Sequence, residues 1–360
     1  MKSVKGNECN EETMVIVREV GLDDLDALWD LIGQANTGMT SLKIDKEQLA
    51  DRIERSHFAF RRLTERAEGA PYVFVMQDLE TGRLVGTSCI FSKTGGFEPF
   101  YAYRIVTEST HCELLNQTHE IHSLHLIKTH NGPTEIGSLF LLPEYRGKGC
   151  GKLLSMSRFA YIAAHPKRFA SQTIAEMRGF LTPKGDSPFW EAIGSHFFKI
   201  DFPRADSLSM IDKQFIEDLM PRYPIYLDLL PAEAVAAMGN VHDQTKPALA
   251  MLESQGFVRT DQIDIFDGGP VVQCATKSIS AVKDMEQVVV SKESGSPTWR
   301  TQPGGQLFPR AVVTTSQSKF VAVQCDAMIA DKVVSLELPA MRTLGVQHND
   351  KVWVMKQLLT

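Results

Sequence analysis

A basic, glycine-rich turn near the middle of the chain has the residue types that bind phosphate. It reads RGKGCG over residues 146–151 and follows an apolar run at 136–142, flanked by prolines, that is typical of a buried strand. Glycines let backbone N–H groups approach an anion closely, and a helix start adds partial positive charge. Full positive charges come from Arg146, Lys148 and Lys152. The pattern predicts a phosphate cradle, and the alternative interpretation is a basic surface turn.

The spacing of the glycines indicates which kind of phosphate loop this is. A dinucleotide fingerprint needs Gly-x-Gly-x-x-Gly, and a nucleotide P-loop needs Gly-Lys followed by Ser or Thr. Here Leu153 follows Gly151 and Lys152, so no hydroxyl is available to hold a magnesium ion. The spacing Arg-x-x-Gly-x-Gly resembles instead the pyrophosphate loop of the GNAT acyl-CoA N-acyltransferases.

In GNAT acyltransferases the strand before this loop carries a bulge whose N–H groups meet the thioester carbonyl. The resemblance places these groups around Leu139 and Leu141. Such an oxyanion hole contributes about 3 kcal/mol to transition-state stabilisation. Leu139 and Leu141 can also be core side chains, because the backbone makes the contact. The candidate acyl-CoA contacts are Leu139, Leu141, Arg146, Gly147, Lys148, Gly149 and Gly151.

Four ionisable side chains beyond the loop are candidates for binding a charged second substrate. Glu176 and Arg178 lie two apart on a predicted strand, hence on one face of it. Asp264 and Asp267 lie near the end of another predicted strand, beside a Gly-Gly-Pro turn. A carboxylate suits a guanidinium, and an arginine suits a carboxylate. Glu176, Arg178, Asp264 and Asp267 are therefore the predicted substrate contacts, with structural ion pairs as the alternative.

His242 is the candidate proton carrier. It lies in a predicted loop beside Asp243, and histidine titrates near neutral pH. A lone histidine is more often structural, so the residues alone leave its role open. If it acts in catalysis, Asp243 is expected to hold the imidazole protonated. Cys150 lies in the basic loop, where a thiol pKa can fall, but direct attack by an amine needs no acyl-enzyme. We therefore treat Cys150 as incidental.

The histidine-rich stretch at 97–130 raises the question of a metal site. Its histidines alternate with apolar residues, and neither zinc-site spacing nor an adjoining cysteine or acidic cluster is present. The five histidines are His111, His119, His122, His125 and His130. We predict no metal site.

Composition bounds the class of protein. The 360 residues are 43% hydrophobic and 23% charged, which allows a sizeable core and two domains, or one large domain with an appendage. A net charge of −6 argues against nucleic acid and anionic membranes as partners. The six cysteines form no Cys-x-x-Cys pair, and neither a signal peptide nor a membrane span is visible. We predict a soluble, cytoplasmic protein.

Strand and helix patterns alternate along the chain and predict an α/β (α+β) fold. Residues 1–13 read as a disordered leader and 14–277 as a GNAT-like acyltransferase domain with insertions. Residues 278–360 follow a shift towards Ser, Lys, Gly, Thr and Pro, and read as a small β-barrel module. The predicted helices are 46–60, 151–164 and 247–255, with further starts near 23 and 187; the predicted strands are 14–18, 72–76, 83–91, 136–142, 172–178, 258–266, 271–274, 312–313, 320–323, 333–338 and 351–355.

Longer stretches resemble the arginine N-succinyltransferase family. The resembling segments are residues 37–42 (TGMTSL), 145–146 (YR), 174–179 (IAEMRG), 187–190 (SPFW), 217–221 (EDLMP), 224–226 (PIY), 240–245 (NVHDQT) and 263–270 (IDIFDGGP). The similarity covers about residues 14–277, a span long enough for a whole domain, and is weaker over the tail. The leader, residues 97–128 and residues 291–309 fit the family pattern only loosely.

The resemblance implies a GNAT-like mixed sheet flanked by helices and extended by further elements. It also implies succinyl-CoA as co-substrate, no permanently bound cofactor, and the α-amino group of L-arginine or ornithine as acceptor. It carries His242 over as the proton donor and matches Leu139 to a succinyl-CoA contact. Small-molecule substrates are expected, and a homo- or hetero-oligomer stays open. Two alternatives remain: an acetyltransferase for another amine, such as a polyamine or antibiotic, and a non-catalytic CoA-sensing module.

Overall fold

The computed structural model describes residues 14–35, 44–63, 65–209, 213–301, 304–315 and 319–356. The predicted leader at 1–13 and the segment at 37–42 lie outside these residues. The helices are α1 (Leu25–Gly33), α2 (Lys46–Arg61), α3 (Cys150–Ala164), α4 (Pro188–Ala192), α5 (Gly194–Phe198), α6 (Phe202–Ser209), α7 (Gln214–Leu219), α8 (Ala232–Ala237), α9 (Lys246–Ser254), α10 (Ser280–Asp284) and α11 (Leu338–Leu344).

The strands confirm the mixed α/β prediction. They are β1 (Val15–Glu19), β2 (Pro71–Asp78), β3 (Leu84–Phe91), β4 (Phe100–Cys112), β5 (Gln117–Thr129), β6 (Thr134–Leu141), β7 (Gln172–Glu176), β8 (Ile225–Tyr226), β9 (Val258–Ile263), β10 (Pro270–Ala275), β11 (Met285–Val290), β12 (Gln306–Thr315), β13 (Val321–Ala330), β14 (Val333–Leu336) and β15 (Lys351–Met355).

These strands form one continuous mixed sheet that carries the barrel at one end. Its order within the described residues is β12-β15-β11-β14-β13-β1-β2-β3-β6-β7-β10-β9-β4-β5-β8. A further pairing of β12 with β13 closes the first five strands into a barrel, as predicted. Strand β1 pairs with both β2 and β13, so hydrogen bonds join the barrel to the main sheet. The division at residue 277 stays a prediction.

Helices α2 and α3 cover the central strands. Helix α2 begins with a capping box, in which Asp45 Oδ1 accepts the Gln48 N–H and Gln48 Oε1 accepts the Asp45 N–H. Its Leu49 and Ile53 are buried, in keeping with the helical spacing of apolar residues. Helix α3 is buried along most of its length, which explains the long apolar sequence after the glycine loop.

An aromatic cluster joins the barrel to α3 and the central sheet. The ring of Phe320 lies 5.2 Å from Phe74 of β2 and 5.5 Å from Tyr161 of α3, both in edge-to-face geometry. Phe60 of α2 packs on the same Tyr161 ring at 5.1 Å. Such aromatic pairs contribute stabilisation beyond that of their buried area, so they help to hold the barrel in one position against the sheet.

The insertion at 97–130 is a long antiparallel hairpin. Strands β4 and β5 pair from Phe100 with Thr129 out to Cys112 with Gln117. Asn116 closes the turn with a φ of 47°, a left-handed conformation that asparagine tolerates better than most residues. The described residues contain no group of three or more His, Cys, Asp or Glu side chains that could hold a metal ion.

Three predicted strands are shorter than their apolar patterns. The one predicted at 172–178 ends at Glu176, and shortly after it the Gly179 N–H donates to the Asp267 carboxylate, so Arg178 lies beyond β7. The one predicted at 258–266 ends at Ile263, because the Asp264 carboxylate accepts the N–H groups of Phe266 and Asp267 and forms a turn. The one predicted at 333–338 ends at Leu336, because α11 begins at Leu338 with Pro339 in its first turn. Among the described helices, none has the length and apolar character needed to cross a membrane.

Candidate active site

Strands β6 and β7 open a cleft in the middle of the sheet. They run parallel and pair only near their beginnings, at Thr134 with Thr173 and Glu135 with Ile174. Beyond these pairs, residues 136–139 of β6 line a cavity of about 810 Å³ together with residues 175–178, which are the end of β7 and the two positions after it. A cavity of this size is typical of a small-molecule site.

A bulge in β6 lies at this cleft, where the resemblance to GNAT acyltransferases placed it. From Phe140 to Gly137, β6 advances three residues while its partner β3 advances two, from Thr87 to Cys89. Ser138 in the bulge has a φ of 51°, a strained value for a non-glycine residue. Bulges often re-aim backbone groups next to active sites.

The two predicted oxyanion residues occupy different places around the bulge. Leu139 lines the cavity. Leu141 pairs with Gly86 of β3, and its side chain packs near Gly86 and Gly151. The Leu141 carbonyl also accepts the Nε–H of Arg146 at 3.1 Å, which ties the end of β6 to the glycine loop.

The glycine loop leads directly into α3. Gly147 and Gly149 have φ values of 77° and 85°, which favour glycine, and Gly149 is the N-cap of the helix. Gly151 lies in the first turn, with its backbone facing Leu141. Arg146, Gly147, Lys148, Gly149 and Gly151 thus surround a helix N-terminus, as an anion cradle requires.

The barrel contributes an arginine to this loop. A bulge in β12 between Phe308 and Ala311 puts Arg310 at a φ of 55°. Its Nη2 lies 2.7 Å from the position that a Cβ on Gly149 would occupy, and it donates to Gln324 Oε1 at 3.0 Å. Arg310 also helps to lower the pKa of Lys152, after the larger effect of burial. A fourth cation therefore borders the cradle.

Acidic side chains line the deeper part of the cavity. Burial, followed by the charges of Glu135 and Asp264, raises the pKa of Glu176 well above its ordinary value. Glu176 Oε1 is buried and accepts no hydrogen bond within the described residues. This oxygen is open to a cationic ligand.

The two predicted aspartates are held by the turn after β9. Asp264 Oδ1 accepts the N–H groups of Phe266 and Asp267 at 2.7 and 2.8 Å. Asp267 Oδ1 and Oδ2 accept those of Gly269 and Gly179, each at 2.8 Å. Burial raises the pKa of both carboxyls, and both line the cavity. Their backbone contacts fix the cavity wall.

Cations share the cavity with these acids. Arg178 lines it from just beyond β7, and its Nε is buried without a hydrogen-bond partner in the described part of the chain. Lys213 and Arg52 oppose the burial that raises the pKa of Glu135, so both lie near that carboxyl. Glu176 and Arg178, predicted to share a face, do open onto the same cavity.

His242 lies against the end of β7. Its N–H donates to the Arg178 carbonyl at 2.9 Å, and Gly179 forms a β-bridge with Val241. The Gln244 N–H donates to His242 Nδ1 at 3.2 Å, so the neutral ring carries its proton on Nε2. Burial and then the Arg178 charge lower the pKa of His242.

Asp243 does not hold the imidazole protonated. Its carboxylate is exposed and pairs with Lys246 at 2.7 Å. It raises the pKa of His242, but burial and Arg178 outweigh it and the net shift is downward. That expectation from the sequence is therefore wrong. Cys150 is buried, and burial raises its thiol pKa, which is the opposite of what a nucleophile needs.

Comparisons with known proteins agree with this geometry. The family model described as arginine N-succinyltransferase beta subunit matches residues 15–281. The arginine N-succinyltransferase of Yersinia pseudotuberculosis serotype O:3 is 37% identical over 95% of this chain and 97% of that protein. The enzyme of that name from Enterobacter sp. strain 638 is 40% identical over 79% and 83%.

A solved structure extends the similarity to three dimensions. Subunit AI of the arginine/ornithine succinyltransferase of Pseudomonas aeruginosa superimposes with a TM-score of 0.84 at 31% identity. The superposition covers 96% of this chain and 99% of that one. The barrel is therefore part of the shared architecture.

The opened parallel pair, the bulge beside it and the glycine loop at the start of α3 define an acyltransferase of the GNAT type. The similarity to succinyltransferases spans nearly the whole length of both chains. This chain belongs to the arginine N-succinyltransferase family.

Sequence patterns missed several charged residues at the site. Arg158 is the one charged residue in the apolar run 153–162, and a single charge in such a run is a signal that could have indicated a functional residue. Arg310 gave no signal, because only the fold brings the barrel to the loop. The missed residues at the cavity or loop are Arg52, Glu135, Arg158, Lys213 and Arg310.

Proposed function

We propose that this chain transfers the succinyl group of succinyl-CoA to the α-amino group of L-arginine. The observation that carries the proposal is the cavity beside the β6 bulge, which contains an unpartnered carboxylate oxygen on Glu176. A guanidinium is the ligand that such a buried carboxylate suits best, since it offers a fork of N–H donors and a permanent charge. The names of the relatives support the same pair of substrates.

In the proposed arrangement the glycine loop binds the CoA pyrophosphate. Backbone N–H groups at the start of α3, together with Arg146 and Lys148, supply the donors and charge. Arg310 adds a cation from the barrel beside Gly149. The pantetheine arm then follows the opening between β6 and β7, and the thioester carbonyl meets the N–H of Leu139.

The acceptor occupies the acidic part of the cavity. Glu176 binds the guanidinium, and Asp264 and Asp267 add negative charge. The hydrogen bonds that these aspartates accept from backbone N–H groups stabilise the wall of the cavity. Arg178 binds the amino-acid carboxylate, for which its buried, unpartnered Nε is a suitable donor. The α-amino group is then directed towards the thioester.

The reaction needs one bond to form and one to break. The free α-amine attacks the thioester carbon, and the oxyanion that forms is stabilised by the Leu139 N–H. The C–S bond then breaks, and the thiolate takes a proton from His242 in its imidazolium form, in which Nδ1 carries a proton and no longer accepts the Gln244 N–H. Because its pKa is lowered, this imidazolium is a stronger acid than a free histidine and gives up its proton more readily. The proton that the attacking nitrogen loses passes to the neutral imidazole of His242 and regenerates the imidazolium.

Steady-state kinetics with two donors and two acceptors test the proposal. We expect kcat/KM to be highest for succinyl-CoA with arginine, compared with acetyl-CoA and with ornithine. A preference for acetyl-CoA, or the absence of any acceptor turnover, would contradict the proposed function. A preference for ornithine would contradict arginine as the acceptor and would still agree with succinyl-CoA as the donor.

A further inference from the structure

Helix α3 carries a buried arginine whose charge is not balanced by an acid. Arg158 is 3% exposed and lines the cavity together with Ser155, one turn earlier on the same helix face. Its Nη2 donates to Ser155 Oγ at 2.8 Å and its Nε to the Ser155 carbonyl at 3.4 Å. No carboxylate among the described residues forms an ion pair with it.

The ionisable group that acts on the pKa of Arg158 is Cys89, which is neutral at physiological pH. The nearby Cys89 stays a thiol, because burial raises its pKa to about 12. Burial lowers the pKa of Arg158 to about 10, so the guanidinium keeps its charge at neutral pH. Two other cations of the cavity differ in this respect, because Arg52 and Lys213 both lie near Glu135. A buried charge without a counter-ion is costly and is usually retained where a ligand supplies the missing partner.

The position of Arg158 along α3 fits the acyl end of the donor. It lies nine residues after Gly149, which is about 13 Å along a helix axis from the phosphate loop. The β6 residues Gly137, Ser138 and Leu139 line the same cavity. The pantetheine arm of CoA connects its pyrophosphate to its thioester over a distance of this kind, so the acyl chain extends into the region that Arg158 lines.

We propose that Arg158 binds the terminal carboxylate of the succinyl group and is the residue that selects a dicarboxylic acyl donor. This inference rests on the proposed function and deepens it, because it assigns the donor's carboxylate to Arg158 and leaves Arg178 for the carboxylate of the acceptor. An arginine offers two parallel N–H donors to a carboxylate. A neutral acyl group would leave those donors unpaired, which disfavours it strongly.

Calorimetry that compares the affinities for succinyl-CoA and butyryl-CoA tests this contact. The two acyl chains have the same number of carbons, and only the succinyl chain ends in a carboxylate. We expect wild type to bind succinyl-CoA about a hundredfold more tightly, the usual value of a charge-assisted pair. In Arg158→Met the preference should fall to within about threefold. In Arg158→Lys, which keeps a point charge but not the fork, it should be intermediate.

Arg168→Met is the matched control. Arg168 is also buried, but it donates to Tyr161 Oη at 2.8 Å and to the Arg62 carbonyl at 3.0 Å, which are structural contacts. We expect this variant to lower the melting temperature and leave the donor preference unchanged. Arg158→Met should keep or raise the melting temperature, because it removes an uncompensated buried charge.

Three results overturn the inference: equal affinity of wild type for both donors, an undiminished preference in Arg158→Met, or a parallel loss of both affinities with a lower melting temperature. If Arg158→Met does not fold, a full preference in Arg158→Lys overturns the forked contact. Turnover with arginine in the same preparations tests the proposed function separately. If the donor preference depends on Arg158 but arginine is not succinylated, the role of Arg158 is supported and the proposed acceptor is contradicted.

Discussion

His242 combines a backbone anchor with a half-buried imidazole. Its N–H bonds to the Arg178 carbonyl, which places the residue beside the cavity, and Gln244 fixes the tautomer. Few contacts hold the ring itself, so its removal should leave the fold intact. The sequence could nominate His242 only through family resemblance, because its environment depends on β7, which is remote in the chain.

Replacing His242 by alanine should lower kcat by roughly 10²- to 10⁴-fold, the usual range for general acid catalysis. The KM for succinyl-CoA should change little, because the glycine loop binds CoA. Steady-state kinetics and thermal unfolding on one preparation provide the check. Near-normal turnover in a stable His242→Ala protein would end the assignment.

The charges around His242 predict opposite shifts in two variants. Arg178 lowers the pKa of His242, so Arg178→Met should raise it. Asp243 raises that pKa, so Asp243→Asn should lower it further. NMR titration of the imidazole Cε1–H resonance measures both. A wild-type pKa above the ordinary histidine value, or shifts of the reverse sign, would contradict this electrostatic description.

The cavity acids divide into one open group and one structural group. Glu176→Gln should raise the KM for arginine at least tenfold and leave the KM for succinyl-CoA within about twofold, since it removes a charge-assisted contact. Asp267→Asn should instead lower the melting temperature, because its two oxygens accept the N–H groups of Gly179 and Gly269. Unchanged arginine kinetics in a folded Glu176→Gln protein would place guanidinium recognition elsewhere.

At the scale of elements, the sequence predicted those segments well whose contacts lie between residues close together in the chain. The glycine loop, the buried strand before it and α3 are contiguous, so their spacing alone indicated a phosphate cradle. The strand β9 was predicted too long, since the Asp264 turn depends on a side-chain contact that periodicity does not register. The β4–β5 hairpin went unpredicted, because its outer half is exposed on both faces and lacks a clear apolar alternation.

Gly151→Asp should abolish binding of succinyl-CoA while the protein stays folded. A Cβ at this position makes only an ordinary contact with Leu141, at 3.7 Å, but a carboxylate would repel the pyrophosphate. Gly151→Ala is the matched control and should bind CoA within about threefold of wild type, since it adds the Cβ without the charge. Calorimetry measures both, and normal affinity in the aspartate variant would refute the loop assignment.

At the scale of the molecule, the barrel is joined to the acyltransferase sheet by hydrogen bonds and by the Phe320 cluster. The sequence predicted a β module but not its place, because the pairing of β1 with β13 links the two ends of the chain. This placement brings Arg310 of the barrel next to Gly149 of the loop.

Arg310→Ala should raise the KM for succinyl-CoA about tenfold with kcat at saturation nearly unchanged, because it removes one phosphate-facing cation. Arg300→Ala is the control, since Arg300 pairs with Asp326, which accepts the Arg310 backbone N–H, and its removal leaves the Arg310 guanidinium itself in place. Equal effects in the two variants would mean that the barrel acts only through stability.

The central claim is that one cleft joins succinyl-CoA to the α-amino group of arginine. The most direct test is NMR and mass spectrometry of the products formed by the purified full chain with these two substrates. The account predicts free CoA and arginine succinylated on its α-nitrogen in equal amounts. Release of CoA without succinylated arginine, or a succinyl group on the guanidinium, would contradict it.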